Sequence, residues 1–395
     1  MKDNVELPVK LLFVNGHLKI GGVEKSLVDL LKSMDYSQHE VDLLLFEGLG
    51  DYADQIPPQV HIILCDLHPT YGPFAQAMWN ALKKCDFRSV YLRLVFTLCA
   101  HFSIKWMSLV RLLGLTPKVY DCAIAYRVGV CADYVAFAAK AKKKCMWWHH
   151  GEFDYSEQTV NKWRETLTRI DDVVSVSDSA RRMILPHFPC HAQRISVIPN
   201  MVIPKDIIKK AEAFHPYRKD GMTVFVSVGR FSREKHMIDA VYIMERLVQK
   251  GYRNLTWYLV GDGLQRAEIE REIEQRKLDG RVICVGGQAN PYPYIADADF
   301  FVHLSHVESQ GITVLEAFAL GKKCVVVRSE GTQEYVVDGY NAWTAKQDID
   351  DIAAKIEKVL QEGTEIDNMK ENQRRTLTRF SPEAVIGDFE RLIRE

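Results

Sequence analysis

The stretch Phe301–Val327, with the sequence FVHLSHVESQGITVLEAFALGKKCVVV, predicts a strand, a loop, a helix and a second strand. An apolar run over residues 301–304 has the length of a strand, Gly311 opens a helical segment, and residues 323–327 form the next buried strand. A glycine at a helix start leaves backbone N–H groups free, and the helix dipole adds positive potential there. The junction therefore suits an anion such as a phosphate.

Two carboxylates, Glu308 and Glu316, flank this loop-to-helix junction. By the helical period, Glu316 lies about one turn inside the helix, so it can reach the hydroxyls of a ligand whose phosphates lie at the helix end. An anion site beside two carboxylates that can accept hydrogen bonds from hydroxyls predicts a nucleotide-sugar site.

Length and composition favour a folded chain with more than one domain. A chain of 395 residues is too long for one ordinary domain, and 47% hydrophobic with 26% charged residues is typical of a globular protein. The net charge of -1 argues against a dedicated nucleic-acid binder, which usually has a basic excess. Strands alternate with helices in both halves, which predicts two parallel sheets with helices on both faces.

Cysteine usage and the N-terminus favour a cytoplasmic location. The nine cysteines show no CxxC pair and no zinc-type spacing with histidine, and an odd number of thiols fits a reducing compartment. Residues 1–10 are polar and lack the apolar segment of a signal peptide. No apolar run approaches the roughly 20 residues that span a bilayer.

A strand over residues 10–15, a glycine-containing loop and a helix begin the chain in the manner of a nucleotide-binding βα unit, although the loop is not GxGxxG. Gly21 and Gly22 allow a ligand to approach the backbone closely, and Glu24 suits the positive end of the helix dipole. The alternative is a tight turn that binds nothing.

Residues 82–115 form a basic, aromatic stretch whose only acid is Asp86. Such a composition predicts contact with the surface of an anionic membrane. The alternative is a set of helices that pack on a sheet and expose basic faces. The cations are Lys83, Lys84, Arg88, Arg93, Lys105 and Arg111.

A predicted strand over residues 145–149 is followed by His150 and Gly151. Side chains alternate along a strand, so only one of His149 and His150 can face a site unless the strand has already ended. In open α/β sheets ligands bind at the carboxyl ends of strands, which favours His150. The alternative is a loop histidine with a structural hydrogen bond.

The loop over residues 229–236 places Arg230 and Lys235 just after another strand. Arginine offers a fork to phosphate oxygens and lysine a point charge, so together they can neutralise a diphosphate without a metal. Alone, such a loop would be a solvated surface loop. Asp297 and Asp299 have DxD spacing, but they precede a buried strand and are interpreted as structural caps, so neither a metal nor a cofactor is predicted.

Taken in order, these motifs give the chain a strong resemblance to the retaining glycosyltransferases of the GT-B fold, of the family 4 type. The resemblance implies two Rossmann-like domains facing a cleft, over residues 1–203 and 204–379, with a final helix over residues 380–395 that crosses back onto the first domain. The matching segments are Gly21–Glu24, Val176–Ser179, Ile198–Asn200, Val228–Arg230 with Lys235, Gly261–Gly263, and Glu308 with Glu316.

The resemblance also implies roles for individual residues. Arg230 and Lys235 would hold the donor diphosphate, Glu316 the ribose hydroxyls, and Glu308 hydroxyls of the donor sugar. His150 would stabilise the transferred sugar. The further donor-binding residues implied are Gly21, Gly22, Gly261, Gly311, Ile312 and Thr313.

Proteins of this type transfer a sugar from a nucleotide donor with retention at the anomeric carbon and without a bound metal. The resemblance is nearest to bacterial enzymes of surface-polysaccharide synthesis, which implies a UDP-sugar donor and a glycan or lipid-linked acceptor at the inner membrane face. Gln310 departs from the small or aromatic residue common in the family, and it is expected to contact the sugar.

Two other functions use the same residues. A nucleotide-sugar epimerase of the same fold would release a free epimer without an acceptor. A non-catalytic sugar-nucleotide-binding protein would bind the donor without turnover.

Overall fold

The computed structural model contains two parallel sheets, which confirm the predicted fold of two Rossmann-like domains. The structure describes residues 7–65, 74–83, 85–87, 90–91, 93–95, 97, 115–116, 118–189, 194–217, 221–361 and 366–395. The predicted membrane stretch over residues 82–115 therefore lies largely outside the described residues.

The first sheet has seven strands in the order β3-β2-β1-β4-β5-β6-β7. Its strands are β1 Val9–Asn15, β2 His39–Leu45, β3 His61–Leu64, β4 Tyr120–Ala125, β5 Ala141–Trp148, β6 Asp172–Ser175 and β7 Ile195–Val197. Residues 11–14 of β1 are fully buried on both faces, as expected for a parallel sheet covered by helices on each side.

The second sheet has six strands in the order β10-β9-β8-β11-β12-β13. Its strands are β8 Thr223–Val228, β9 Leu255–Val260, β10 Val282–Gly286, β11 Phe300–His303, β12 Lys323–Val327 and β13 Trp343–Ala345. In both sheets the first strand of the half lies beside its fourth, so the chain reverses its direction of travel there. Such switch points are where α/β sheets bind ligands.

Helices cover both faces of each sheet. They are α1 Gly22–Ser33, α2 Phe74–Lys83, α3 Val130–Phe137, α4 Glu157–Leu167, α5 Asp178–Ile184, α6 Pro204–Ala211, α7 Asp239–Gln249, α8 Arg266–Gln275, α9 Tyr292–Asp297, α10 Ile312–Ala319, α11 Ile349–Gln361, α12 Ile366–Leu377 and α13 Pro382–Arg394. Within the described ranges, none of these helices combines the length and apolar character needed to cross a bilayer.

The strand β5 begins four residues earlier than the sequence pattern predicts, and it includes Lys142, Lys143 and Lys144 of a basic cluster over residues 140–144. These lysines have local partners that offset their low strand propensity. Lys142 pairs with Asp121 at 2.7 Å and Lys143 with Asp172 at 2.8 Å. The cluster is therefore at least partly committed to contacts within the first sheet.

The last helix, α13, packs on the first sheet although it follows the second in sequence. The chain returns where the N–H of Val202 donates to the carbonyl of Phe380 at 2.8 Å. Phe389 is fully buried and stacks on Phe13, with ring centroids 6.0 Å apart. His39 Nε2 also lies 3.0 Å from Glu390 Oε1. The helix thus completes the core around the seven-stranded sheet, which we call the first lobe; the second lobe is built on the six-stranded sheet.

Replacing Phe389 by alanine should lower the free energy of unfolding of the first lobe by about 3–5 kcal/mol, because a large buried ring is lost and a cavity remains. Chemical denaturation followed by tryptophan fluorescence measures this. Arg391→Ala on the same helix is the control, since its side chain is 70% exposed and pairs with Asp388 of the same helix. Equal effects of the two substitutions would contradict the packing described.

Candidate functional site

The carboxyl ends of the two sheets face each other across one cleft of about 1110 Å³. The cleft lies at both switch points, because it receives the segments that follow β1, β4, β8 and β11. Its lining contains every predicted site residue except Gln310. These residues are Gly21, Gly22, His150, Arg230, Lys235, Gly261, Glu308, Gly311, Ile312, Thr313 and Glu316.

The start of α10 points its free N–H groups into the cleft. Gly311 precedes the helix with φ 80° and ψ 52°, and no side chain caps the helix start. The left-handed backbone favours glycine at this position. There is also no room for a side chain, because an added Cβ would lie 2.8 Å from Thr332 Cγ2. Ile312 and Thr313 follow and line the cleft. The first N–H groups of α10 therefore remain available to an anion, and the predicted anion site stays a prediction.

The Glu308 carboxylate is largely buried and lies beside two basic side chains. Lys235 Nζ donates to Glu308 Oε1 at 2.6 Å, and His303 Nε2 lies 3.1 Å from the same oxygen. Burial opposes ionisation, but Lys235 and His303 outweigh it and hold the pKa of Glu308 well below its usual range. The two predicted site residues, Lys235 and Glu308, are therefore partners of each other, and Arg230 is the exposed cation beside them.

Glu316 is buried on the opposite side of the α10 start. The hydroxyl of Tyr292 donates to Glu316 Oε1 at 2.8 Å, and Lys25 Nζ lies 3.8 Å from that oxygen. Burial raises the pKa of Glu316, and the opposing influences of Lys25 and Tyr292 do not cancel it. Neither Tyr292 nor Lys25 was predicted from the sequence as a partner of Glu316. A lysine one helical turn after the glycine loop was the available signal for Lys25.

The glycine loop of the first lobe lies opposite the start of α10 across the cleft. A Cβ on Gly22 would lie 3.9 Å from Ile312 Cδ1, so only a small residue leaves space between the loop and α10. Glu24 is buried beneath this loop and pairs with Arg127 Nη2 at 2.5 Å. Arg127 follows β4, lines the cleft, and was not singled out from the sequence.

His149 and His150 both line the cleft, because β5 ends at Trp148 and strand alternation no longer applies. His149 packs on Tyr126 with ring centroids 4.9 Å apart, and burial lowers its pKa to about 3. Burial, Arg127 and Arg230 also lower the pKa of His150. Both imidazoles are therefore neutral at pH 7 and can hydrogen-bond a sugar hydroxyl without carrying charge.

Gln310 does not match its predicted contact with the sugar. Its Oε1 accepts from the backbone N–H of Asn200 at 2.7 Å and from Asn200 Nδ2 at 2.9 Å. Its Nε2 donates to the Asn200 carbonyl at 2.9 Å. The segment after β7 thus binds both the oxygen and the nitrogen of this amide, and Gln310 joins the two lobes. Glu334 makes a second such contact, accepting from the N–H of Asp178 at 3.2 Å.

Gly261 lines the cleft, and packing explains why the position is glycine. It has φ 154°, and a Cβ there would collide with the carbonyl oxygen of Gly229. Its N–H donates to the Gly286 carbonyl at 3.0 Å. Gly261 therefore lets the ends of β8, β9 and β10 converge at the cleft wall.

The DxD-spaced acids have structural partners. Asp299 Oδ2 accepts from the N–H of Val224 at 2.8 Å, and Asp297 Oδ2 lies 3.1 Å from His215 Nδ1. Asp299 thus caps the start of β8, whereas Asp297 contacts His215.

A separate group of metal-ligand types, His236, Asp239 and His306, lies behind the Arg230 loop. Both histidines face Asp239 Oδ2, at 3.3 and 3.5 Å. Their rings stack with centroids 3.4 Å apart and an interplanar angle of 13°. Lone pairs in two parallel planes at this separation do not converge on one ion at about 2.0 Å, so the rings as placed do not form a ready metal site.

The two halves of the chain match two glycosyltransferase families. Residues 20–205 match "Glycosyltransferase Family 4" and residues 209–376 match "Glycosyl transferases group 1". Together with the two-sheet fold, these matches show that the chain belongs to the GT-B glycosyltransferases of the family 4 type.

A curated relative shares sequence with this chain, and solved structures share its fold. The lipopolysaccharide core biosynthesis glycosyltransferase LpsE of Rhizobium meliloti is 30% identical over 43% of this chain and 49% of its own length. The chain thus matches about half the length of that relative. Anabaena Alr3699/HepE, solved with UDP and glucose, has a TM-score of 0.73 at 18% identity, over 98% of this chain and 100% of that one.

A mutant of S. aureus TarM, solved with Fondaparinux, alpha-GlcNAc-glycerol and UDP, also has a TM-score of 0.73, at 13% identity over 98% of this chain and 100% of that one. At such low identities the two solved structures support the fold alone.

Replacing Gly151 by alanine should force the cleft open, because the added Cβ would lie 2.5 Å from the backbone carbon of Glu308 on the opposite lobe. Small-angle X-ray scattering should record a larger radius of gyration. Gly387→Ala is the matched control, since a Cβ there meets nothing within 4 Å. An unchanged radius in Gly151→Ala would show that the two loops do not meet in solution.

Proposed function

We propose that this protein is a retaining glycosyltransferase that moves a sugar from a nucleoside-diphosphate sugar, with UDP as the nucleotide, to a glycan or lipid-linked acceptor. The observation that carries the proposal is the convergence of the α10 start and the cations of Arg230 and Lys235 at one side of the cleft, where Lys235 also pairs with Glu308. A donor diphosphate needs such a set of positive groups because its negative charge grows as the sugar leaves.

Each part of the donor has a partner in the proposed complex. The diphosphate contacts Arg230, Lys235 and the N–H groups of Ile312 and Thr313. The ribose hydroxyls donate to Glu316. The first-lobe loop at residues 21–22 closes over the diphosphate. The complexes of the HepE structure with UDP-glucose and with UDP and glucose support the choice of UDP as the first nucleotide to test.

The reaction proceeds on one face of the sugar. The bond between the anomeric carbon and the diphosphate oxygen breaks, the acceptor oxygen bonds to that carbon from the same side, and the acceptor's proton passes to the leaving oxygen. His150, neutral and exposed in the cleft, hydrogen-bonds the sugar. Glu308 is held by Lys235 and His303, so it orients hydroxyls and does not act as a nucleophile.

The charge on the leaving diphosphate is stabilised by protein groups alone in this proposal, as Arg230, Lys235 and the α10 start all lie at its expected position. The name of the LpsE relative supports a role in building a bacterial surface polysaccharide. An epimerase remains the second candidate, and release of a free epimer from a UDP-sugar without acceptor would favour it.

Arg230→Ala should weaken UDP binding at least about tenfold, because a charge-assisted hydrogen bond to the diphosphate is lost. Isothermal titration with UDP in the presence of a chelator measures this. Arg233→Ala is the matched control, since Arg233 lies on the same loop but outside the cleft lining. UDP binding that survives Arg230→Ala, or that requires a divalent ion, would refute this donor site.

We further propose that the enzyme works at the cytoplasmic face of a membrane, through the stretch over residues 82–115. Within the described part of this region and the preceding helix α2, Trp79 is 61% exposed, Leu82 51% and Phe87 74%. Arg93, by contrast, is buried and does not contribute an exposed charge. Exposed aromatic and aliphatic groups beside lysines suit an anionic lipid surface.

The chain should float with anionic vesicles in a density gradient at low salt, and high salt should reduce the floated fraction because the attraction is partly electrostatic. A Trp79→Ala/Phe87→Ala variant should float less. Leu264→Ala is the control, as Leu264 is fully exposed but lies on the second lobe. Absence of flotation at low salt would exclude this surface as a membrane anchor.

A further inference from the structure

Lys25 of α1 places its ammonium between carboxylates of both lobes. It is hydrogen-bonded to Asp29 of the same helix, and it lies 3.8 Å from Glu316 Oε1 across the cleft. All three side chains are largely buried, with exposed fractions of 18% for Lys25, 7% for Asp29 and 5% for Glu316. A buried cation shared between two lobes requires such partners, because desolvation alone would neutralise it.

The contacts of Glu316 hold it in one orientation. Tyr292 and Lys25 both approach Oε1, from the second and the first lobe respectively. A ligand hydroxyl is then accepted at Oε2. Tyr292 belongs to the same lobe as Glu316, so its contact does not depend on how the two lobes are placed. Lys25 reaches Glu316 only when α1 lies against α10.

We propose that Lys25 is a positioning residue that completes the ribose-binding carboxylate from across the cleft, keeping Glu316 ionised and oriented when the two lobes close. This inference rests on the proposed nucleotide site. It couples closure to recognition, because the carboxylate acquires its cationic partner only in the closed arrangement.

The electrostatics of the neighbourhood support this role. Burial raises the pKa of Glu316, and Lys25 is the largest opposing influence, followed by the hydrogen bond from Tyr292. Asp29 acts in the opposite direction and raises the pKa of Glu316. Lys210 lowers it at longer range while donating to Gln55 at 2.8 Å.

Lys25 itself stays charged. Burial would lower its pKa, but Asp29, Glu316 and the more distant Asp206 outweigh burial and raise it. Tyr52 faces the same corner, and burial together with Glu316 raises its pKa, so its hydroxyl remains neutral. Burial thus raises the pKa of Glu316 above its usual range, and Lys25 is the nearby cation that opposes this rise.

The sign of the pH dependence follows. The ionised carboxylate can accept a hydrogen bond from a ligand hydroxyl at Oε2, whereas protonation removes part of that acceptor capacity, so nucleotide binding should weaken as the pH falls through the pKa of Glu316. Removing Lys25 raises that pKa further. The loss of binding must then begin at a higher pH.

UDP titrations from about pH 5 to about pH 8 test the inference, with the wild type beside Lys25→Met, Lys25→Arg, Asp29→Asn and Glu316→Gln. Lys25→Met should bind UDP about tenfold more weakly near the acid end and shift the acid limb to higher pH. Lys25→Arg should keep the wild-type limb. Asp29→Asn should shift the limb to lower pH. The titration of UDP itself is common to all proteins and cancels in the comparison.

The outcomes separate the two claims. If Glu316→Gln binds UDP as the wild type does, the assignment of Glu316 to the nucleotide is wrong, and the role of Lys25 falls with it. If Glu316→Gln loses affinity while Lys25→Met keeps the wild-type acid limb, only the inference about Lys25 is overturned. Should circular dichroism show that Lys25→Met is unfolded, the opposite shift of Asp29→Asn decides, and its absence overturns the inference.

Discussion

Two buried carboxylates beside one helix start set the chemistry of this cleft. The charge of Glu308 is compensated within its own lobe by Lys235 and His303. Glu316 accepts a hydrogen bond from a tyrosine of its own lobe and lies near a lysine of the other lobe. Burying a carboxylate is costly unless a cation or hydrogen bonds compensate. Each carboxylate therefore requires its basic or hydrogen-bonding partners to stay in place. The start of α10 lies between the two carboxylates, and no side chain caps its positive end.

The same constraint holds the lobes together. The close approach of Gly151 to the Glu308 backbone and the hydrogen bonds between Gln310 and Asn200 join segments that follow sheet strands in one lobe to those of the other. None of these contacts is a large apolar interface. Interfaces built from close glycine contacts and a few hydrogen bonds are suited to opening and closing, which a buried donor site requires.

The sequence was sufficient for the two-sheet architecture and for placing the predicted site residues other than Gln310 at the cleft, because both depend on local rules. Buried parallel strands appear as continuous apolar runs, and residues after such strands meet at one sheet edge. The observed β11, α10 and β12 agree with the predicted elements of the 301–327 stretch to within one residue at each end. Pairings between distant residues could not be predicted this way. Lys25 with Glu316, Gln310 with Asn200, and Lys235 with Glu308 depend on how two lobes or two loops are placed in space, and a single sequence carries no period or spacing for that placement.

The crystal structure of the protein with UDP is the most direct test of this account. It should show the terminal phosphate of UDP at the N–H groups of Ile312 and Thr313 and beside Arg230, with both ribose hydroxyls within hydrogen-bond distance of Glu316. A nucleotide bound elsewhere, or one bound in the cleft with its ribose turned away from Glu316, would contradict the claim that the two carboxylates and the helix start between them form a nucleotide-sugar site.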